Sequence, residues 1–344
     1  MDHRPALKIC IAILLILAIA AGLYYYWHSS RSRGRSFLPA PGAPAPILSL
    51  LPQEAPYVIY ANVAALRDSA FLTRLTSIIP APAEDPEYTD FVRQTGFDYT
   101  RDLDRVSAAI FPTSPTPLVL IFAEGRFDRQ KITEYAMKTG TAQQRDGKTV
   151  YVMPASTPGN TVSLEFLAPS RIRLVSGPAN LDVPPATGKQ DANITDRVQQ
   201  LGGADLFAIV RTDSIPANLT IGSIRLDELA STLKGVRWIT LFAAPESDNL
   251  RATLEGDCDS TAVALQLEFA LSGFRLMGRA ALSDPSTRKQ LTPQGAAALD
   301  QLVRQIQISH DGGKVSLSAA FTPEMLTGLA APPLQKHPAP GRAH

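Results

Sequence analysis

The sequence predicts an α+β protein. An N-terminal transmembrane helix and a Pro-rich linker precede two similar subdomains, each a mostly antiparallel sheet with helices on one face. Three observations lead there. Residues 9–27 form an apolar run without charge or proline. Residues 28–46 are basic and then proline-rich. From residue 47 on, β-branched and aromatic runs alternate with segments of helical periodicity, and the order repeats roughly once.

A short tail, residues 1–8, leads into ICIAILLILAIAAGLYYYW at 9–27. At 1.5 Å per residue this run gives about 28 Å of helix, close to the hydrocarbon thickness of a bilayer. Tyr24, Tyr25, Tyr26 and Trp27 read as an interfacial belt, and the whole as an uncleaved signal-anchor of a single-pass protein. The alternative is a cleaved signal peptide, with Arg4 and Lys8 as its basic start and Ala18-Ile19-Ala20 as its cleavage site. Arg31, Arg33 and Arg35 follow the run, which by charge count favours a cytoplasmic C-terminal side. The basic start before an apolar run instead looks like an export signal. Long domains translocate largely regardless of charge, so the expectation is a cell-membrane protein with its C-terminal domain extracytoplasmic. The linker ends PAPGAPAP, and proline holds such a piece semi-extended.

The first subdomain is expected over 47–185. Tyr57–Val63 reads as a strand and Ala64–Ile79 as an amphipathic helix. A short helix follows at 90–95, stopped by Gly96. LVLIFA at 118–123 is apolar on both faces and so belongs in the middle of a sheet. Asp128 can cap a helix over 129–139 that stops at Gly140. Strands are expected at 149–153, 162–167 and 171–176, then a loose polar boundary over 178–191.

The second subdomain is expected over 200–329. Strands are predicted at 206–212, 236–243 and 250–258, with a helix at 226–233. A long amphipathic helix runs over 260–279 with Asp259 as a cap, and another over 294–305. A hairpin turns at Asp311-Gly312-Gly313, and Thr322-Pro323 opens a last short helix. The tail, 330–344, is expected to be disordered.

Composition excludes several functions. The net charge is +1 with scattered positives, so no basic patch marks a nucleic-acid partner. Of five histidines, only His310 falls within the folded part, and the two cysteines, Cys10 and Cys258, lie far apart in the chain. A zinc site or a Ser-His-Asp or Cys-His nucleophile is short of ligands on this count, and no Walker loop, dinucleotide fingerprint, G-x-S-x-G or H-E-x-x-H occurs. No catalytic residue, metal ligand or cofactor is therefore assigned. Cys258 between Asp257 and Asp259 reads as an inert buried thiol.

Two acidic stretches remain as candidate ligand or ion sites. Asp98, Asp102 and Asp104 cluster in GFDYTRDLDR, where carboxylates offer oxygen ligands to a hard cation. Arg101 and Arg105 stand ready to neutralise them, which favours an ion-pair and capping cluster. Glu124, Arg126 and Asp128 follow the central strand, where turn and cap roles also account for them.

LP…APYVIYANVAALR at 51–67, with 96–105 and AEGRFDR at 123–129, resembles a recurrent type of single-pass, membrane-anchored bacterial envelope protein. The resemblance covers most of 51–329 and implies no function and no catalytic residue. The expected function is a membrane-tethered extracytoplasmic binding or scaffold protein, held by residues 9–27, with an envelope protein as its partner. Two alternatives stay open. One is an anchored hydrolase acting on envelope polysaccharide, which needs two acids about 5–9.5 Å apart in a cleft. The other is a cytoplasm-facing assembly factor.

Overall fold

The computed structural model describes residues 46–330, apart from 53, 79–85, 114–115, 156, 180–196, 199–200, 202–203, 216–219, 222–223, 226–233 and 289–290. The chain opens with a 3-10 turn, Pro46–Leu50. The strands are β1 Tyr57–Ala61, β2 Leu103–Phe111, β3 Leu118–Gly125, β4 Thr141–Arg145, β5 Lys148–Pro154, β6 Asn160–Ala168, β7 Arg171–Pro178, β8 Leu206–Arg211, β9 Thr220–Ile221, β10 Ile224–Arg225, β11 Val236–Glu246, β12 Asn249–Cys258, β13 Gln307–Asp311 and β14 Lys314–Phe321. The helices are α1 Val63–Arg67, α2 Ala70–Ile78, α3 Pro86–Thr95, α4 Tyr99–Asp102, α5 Arg129–Thr139, α6 Thr261–Ser283, α7 Pro285–Arg288, α8 Pro293–Gln305 and α9 Pro323–Ala330.

Twelve strands form one antiparallel sheet in the order β13-β14-β12-β11-β8-β1-β2-β3-β7-β6-β5-β4, and β9 pairs β10 in a small ribbon. The two-subdomain expectation is corrected here. β1 bonds β2 along one edge, with Ile59 opposite Ala108, and β8 along the other, with Ile59 opposite Ala208. All five residues of β1 are buried. An apolar strand cannot leave either row of N–H and C=O groups unpaired in a core, so it fuses the halves into one sheet.

The predicted transmembrane helix is also corrected. Among the described residues no helix is long and apolar enough to cross a membrane. The 23 residues of α6 would be long enough, but Glu268, Arg275 and Arg279 interrupt them. Residues 9–27 lie outside the described residues, as do most of the linker, the predicted helix at 226–233 and the tail beyond 330. Nothing in the structure supports the membrane, single-pass or signal-anchor description of the chain.

Alternation divides the core between the two faces of the sheet. On one face Val58, Tyr60, Ala109, Leu120, Phe122, Phe207 and Ile209 meet Ile47, Leu48 and Leu51 of the N-terminal turn. On the other face α5 places Ile132 and Ala136 on Tyr151 and Leu164, and α6 places Ala264 and Leu267 on Val236, Cys258 and Val315. The helices start where side chains satisfy their first N–H groups. Asp128 accepts from the Lys131 amide at the start of α5, and Thr322 from the Met325 amide at the start of α9. The cap of α6 is Ser260, which accepts from the Val263 amide, and not Asp259, which pairs with Arg237 at 3.3 Å.

Candidate functional site

The structure gathers the first acidic stretch at the start of β2. Asp98 is the cap of α4: its Oδ1 accepts from the Thr100 amide at 2.9 Å, the Thr100 hydroxyl at 2.5 Å and the Tyr88 hydroxyl at 3.0 Å. Burial pushes the Tyr88 hydroxyl up, and the Asp98 charge and hydrogen bond add to it. Asp102 accepts from the Asp98 amide at 3.0 Å and from Arg101 at 2.7 Å and 3.0 Å, and Arg126 lies 3.3 Å away. Burial works to raise the Asp102 carboxyl, but these donors outweigh it and hold it below its ordinary value. Asp104 sits 3.6 Å from Arg126.

The second stretch divides. Glu124 on β3 lies across the sheet from Arg105 on β2 and takes ion pairs from Arg105 at 3.3 Å and Arg171 at 2.5 Å. Asp128 is the α5 cap with Lys131 at 3.5 Å, and the Lys131 amide leads in lowering its carboxyl. Thus Asp98, Asp102, Asp104 and Arg126 come together, Glu124 sits in a neighbouring arginine pair, and Asp128 stands at a helix start. A general acid needs a raised carboxyl, and Asp102 has the reverse. Among the described residues no group of three His, Cys, Asp or Glu side chains is placed to hold a metal ion.

A groove of about 390 Å³ lies on the face opposite α6, over β11 and β12. Arg197, Leu201, Thr240, Phe242, Arg251 and Glu255 line it. Its charges are engaged with neighbours. Arg197 pairs with Asp257 and stacks its guanidinium 5.1 Å from the Trp238 ring. Arg251 meets Glu246 at 2.7 Å, and Lys314 meets Glu255 at 2.9 Å. Arg197 belongs to no element the sequence marks.

The outward side of α6 is the largest departure from the sequence reading. Ala264, Leu267 and Leu282 turn inward and are buried. Phe269 is 69% exposed, Leu276 61% and Met277 60%, and Leu265 and Phe274 are exposed as well. At about 200 Å² per large side chain, Leu265, Phe269 and Leu276 together leave about 340 Å² of apolar surface in water, within the range for the largest patch on a monomer. Leu265, Phe269 and Leu276 fall at i, i+4 and i+11, one line along the helix, with Ala262 and Ala280 extending it. Helical periodicity points to an amphipathic helix, but its solvent side should then be polar. The signal was present: only three residues of this 23-residue helix are charged.

No protein family matches the chain, and no curated protein matches it. Solved structures do. The one described as crystal form III of TP0453 is similar at 12% identity, over 82% of this chain and 97% of that one, with a TM-score of 0.43. Crystal form I of the same protein is similar at 11% identity, over 83% and 96%, also with a TM-score of 0.43. At such values nothing about activity passes from those structures to this chain.

Proposed function

We propose that the chain is an extracytoplasmic binding or scaffold protein that works by contact, with an envelope protein as its partner and the outward face of α6 as its contact surface. The observation that carries this reading is the exposed line of Leu265, Phe269 and Leu276 on a helix whose inner side is seated in the core. Leaving that line in water costs free energy, and covering it by a partner returns it at about 25 cal/mol per Å² before the costs of association. The acids of the strand-end cluster are taken up by caps and arginine pairs, which supports contact over hydrolysis. The basic start before an apolar run supports export.

A photo-crosslinking amino acid at position 269 in intact cells tests the reading. An adduct is expected at 269 and none at Glu134, which is exposed on α5. No adduct at 269 overturns it. Export is tested by protease added to cells with the outer barrier opened: digestion of the folded part is expected, and full protection places the chain in the cytoplasm.

A further inference from the structure

We infer that the partner of the α6 face is a second copy of this chain, with the two α6 helices laid antiparallel about Ser272 and Gly273. This rests on the contact reading above and names the occupant. Three observations carry it.

The first is steric self-complementarity. A two-fold axis between residues 272 and 273 sets Phe269 of one copy opposite Leu276 of the other, and Leu265 opposite Ala280, each twice. Large side chains therefore meet large ones at two central positions and small ones at the ends. Small residues occupy the crossing itself. A Cβ built on Gly273 would meet nothing within 4 Å, so its side of the helix is open to a partner. Two helix axes can then approach to the usual 8–10 Å or somewhat less.

The second is charge. Glu268, Arg275 and Arg279 lie on one flank of the apolar line, the acid in the N-terminal half and the arginines in the C-terminal half. An antiparallel two-fold brings the same flank of both copies together, with the order reversed. Glu268, whose Oε2 also meets His310 Nδ1 at 2.5 Å, then stands level with the gap between Arg275, which donates to the Ile306 carbonyl at 2.9 Å, and Arg279 of the other copy. A parallel pair would set this flank against the side that carries Met277, where nothing answers the charges.

The third is area. Leu265, Phe269 and Leu276 bring about 340 Å² from each copy to the seam, which suits a concentration-dependent pair and not a permanent one. A helix lying in a lipid headgroup layer is rich in Lys and Arg on its polar side. α6 has no lysine, and its inner side is packed on β11, β12 and β14.

The test uses the full chain and light scattering after size exclusion across a concentration series. Wild type is expected to reach twice the 37.0 kDa chain mass as concentration rises. Phe269→Asp should weaken association at least about tenfold, as central apolar contacts do. Arg279→Glu should weaken it about three- to fivefold, and Glu268→Arg added to Arg279→Glu should recover most of the loss. Circular dichroism melts check that each variant is folded. Gly273→Cys in a Cys10→Ser background should give an oxidised dimer, which a merely sticky surface would not give in one species.

A wild type that stays monomeric throughout overturns the inference, as does a dimer untouched by Phe269→Asp and Arg279→Glu. The crosslinker at 269 separates the two readings. An adduct of this chain with itself supports both, and an adduct with lipid or another polypeptide refutes self-pairing alone. No adduct refutes both.

Discussion

Gly125→Ala should be among the most damaging single changes in the protein. Gly125 ends β3 where it abuts the start of β2, in the middle of the Glu124-Gly125-Arg126 stretch. A Cβ there would stand 2.2 Å from the Asp102 carbonyl oxygen and 3.2 Å from the Leu103 Cα. Both neighbours are backbone, so neither can swing aside. Relief needs a shift of about 1 Å in the β2 backbone. The Asp102 carbonyl accepts the Arg126 amide at 2.8 Å, and a shift of that size breaks the bond. It also disturbs the Asp102 carboxylate, which Arg101 and the Asp98 amide hold. One lost buried hydrogen bond costs about 1 kcal/mol, and backbone strain with partial loss of the ion pairs adds a similar amount or more. The expected loss is about 2–4 kcal/mol, and at roughly 2–4 °C per kcal/mol Tm falls by about 4–16 °C. Thermal and urea unfolding followed by circular dichroism read this directly. Gly278→Ala is the control, since its Cβ would stand at an ordinary 3.9 Å from the Val303 side chain and it adds a better helix former. A Gly125→Ala protein that melts within about a degree of wild type would refute the reasoning, because no close approach would then hold β3 on β2.

Three further outcomes are expected. Phe122→Ala empties a side chain that is 1% exposed in the centre of the sheet and should lower stability by about 3–5 kcal/mol in urea titrations, with its neighbours unable to collapse fully. Asp102 has a depressed carboxyl when folded, so its stabilisation is present above its unfolded value of about 3.9 and is lost as pH falls through the lower folded value. The Tm gap between wild type and Asp102→Asn should therefore be largest near neutrality and close as pH falls below the unfolded value and through the lower folded one; a gap independent of pH would show that the charge is not what matters. The Cys258 thiol is buried, and burial first, then Asp257 and Asp259, raises it above its ordinary value. A Cys10→Ser protein should give no reaction with a thiol reagent when folded and one thiol in urea, and rapid native labelling would contradict its burial.

Much of the local structure is legible in the sequence because it rests on short-range rules. LVLIFA announces a strand covered on both faces, and β3 lies inside the sheet. Asp128 and Thr322 announce helix starts with the oxygen that accepts the first free amide. The Asp311-Gly312-Gly313 turn joins β13 to β14, with Gly312 at φ +53°.

What stays hidden depends on distance along the chain. β2 carries Asp104 and Arg105 near its start and bulges there, so its pattern reads as a polar cluster and not as a strand. β4, TAQQR, is exposed at every position and has no apolar signal at all. The pairing of β1 with β8 cannot be seen from either strand alone. Only the fold shows that Arg171, 47 residues away, completes the surroundings of Glu124. The outward face of α6 is half legible: its low charge shows in the sequence, but periodicity tells which residues repeat, not which side the core will take.

The double pairing of β1 also sets a timetable for synthesis. β1 meets β8 across about 150 residues of intervening chain. At the usual 5–20 residues per second, β1 leaves the ribosome about 8–30 s before the strand that closes its second edge. β2 and β3 can join it early, but one row of backbone groups on a fully apolar strand stays open throughout that interval, a template for any other extended segment nearby. The N-terminal half is thus a nascent product in need of shelter until residue 211 emerges. A nick or stall between the halves would leave it with an adhesive edge, and its fate then passes to chaperones and proteases.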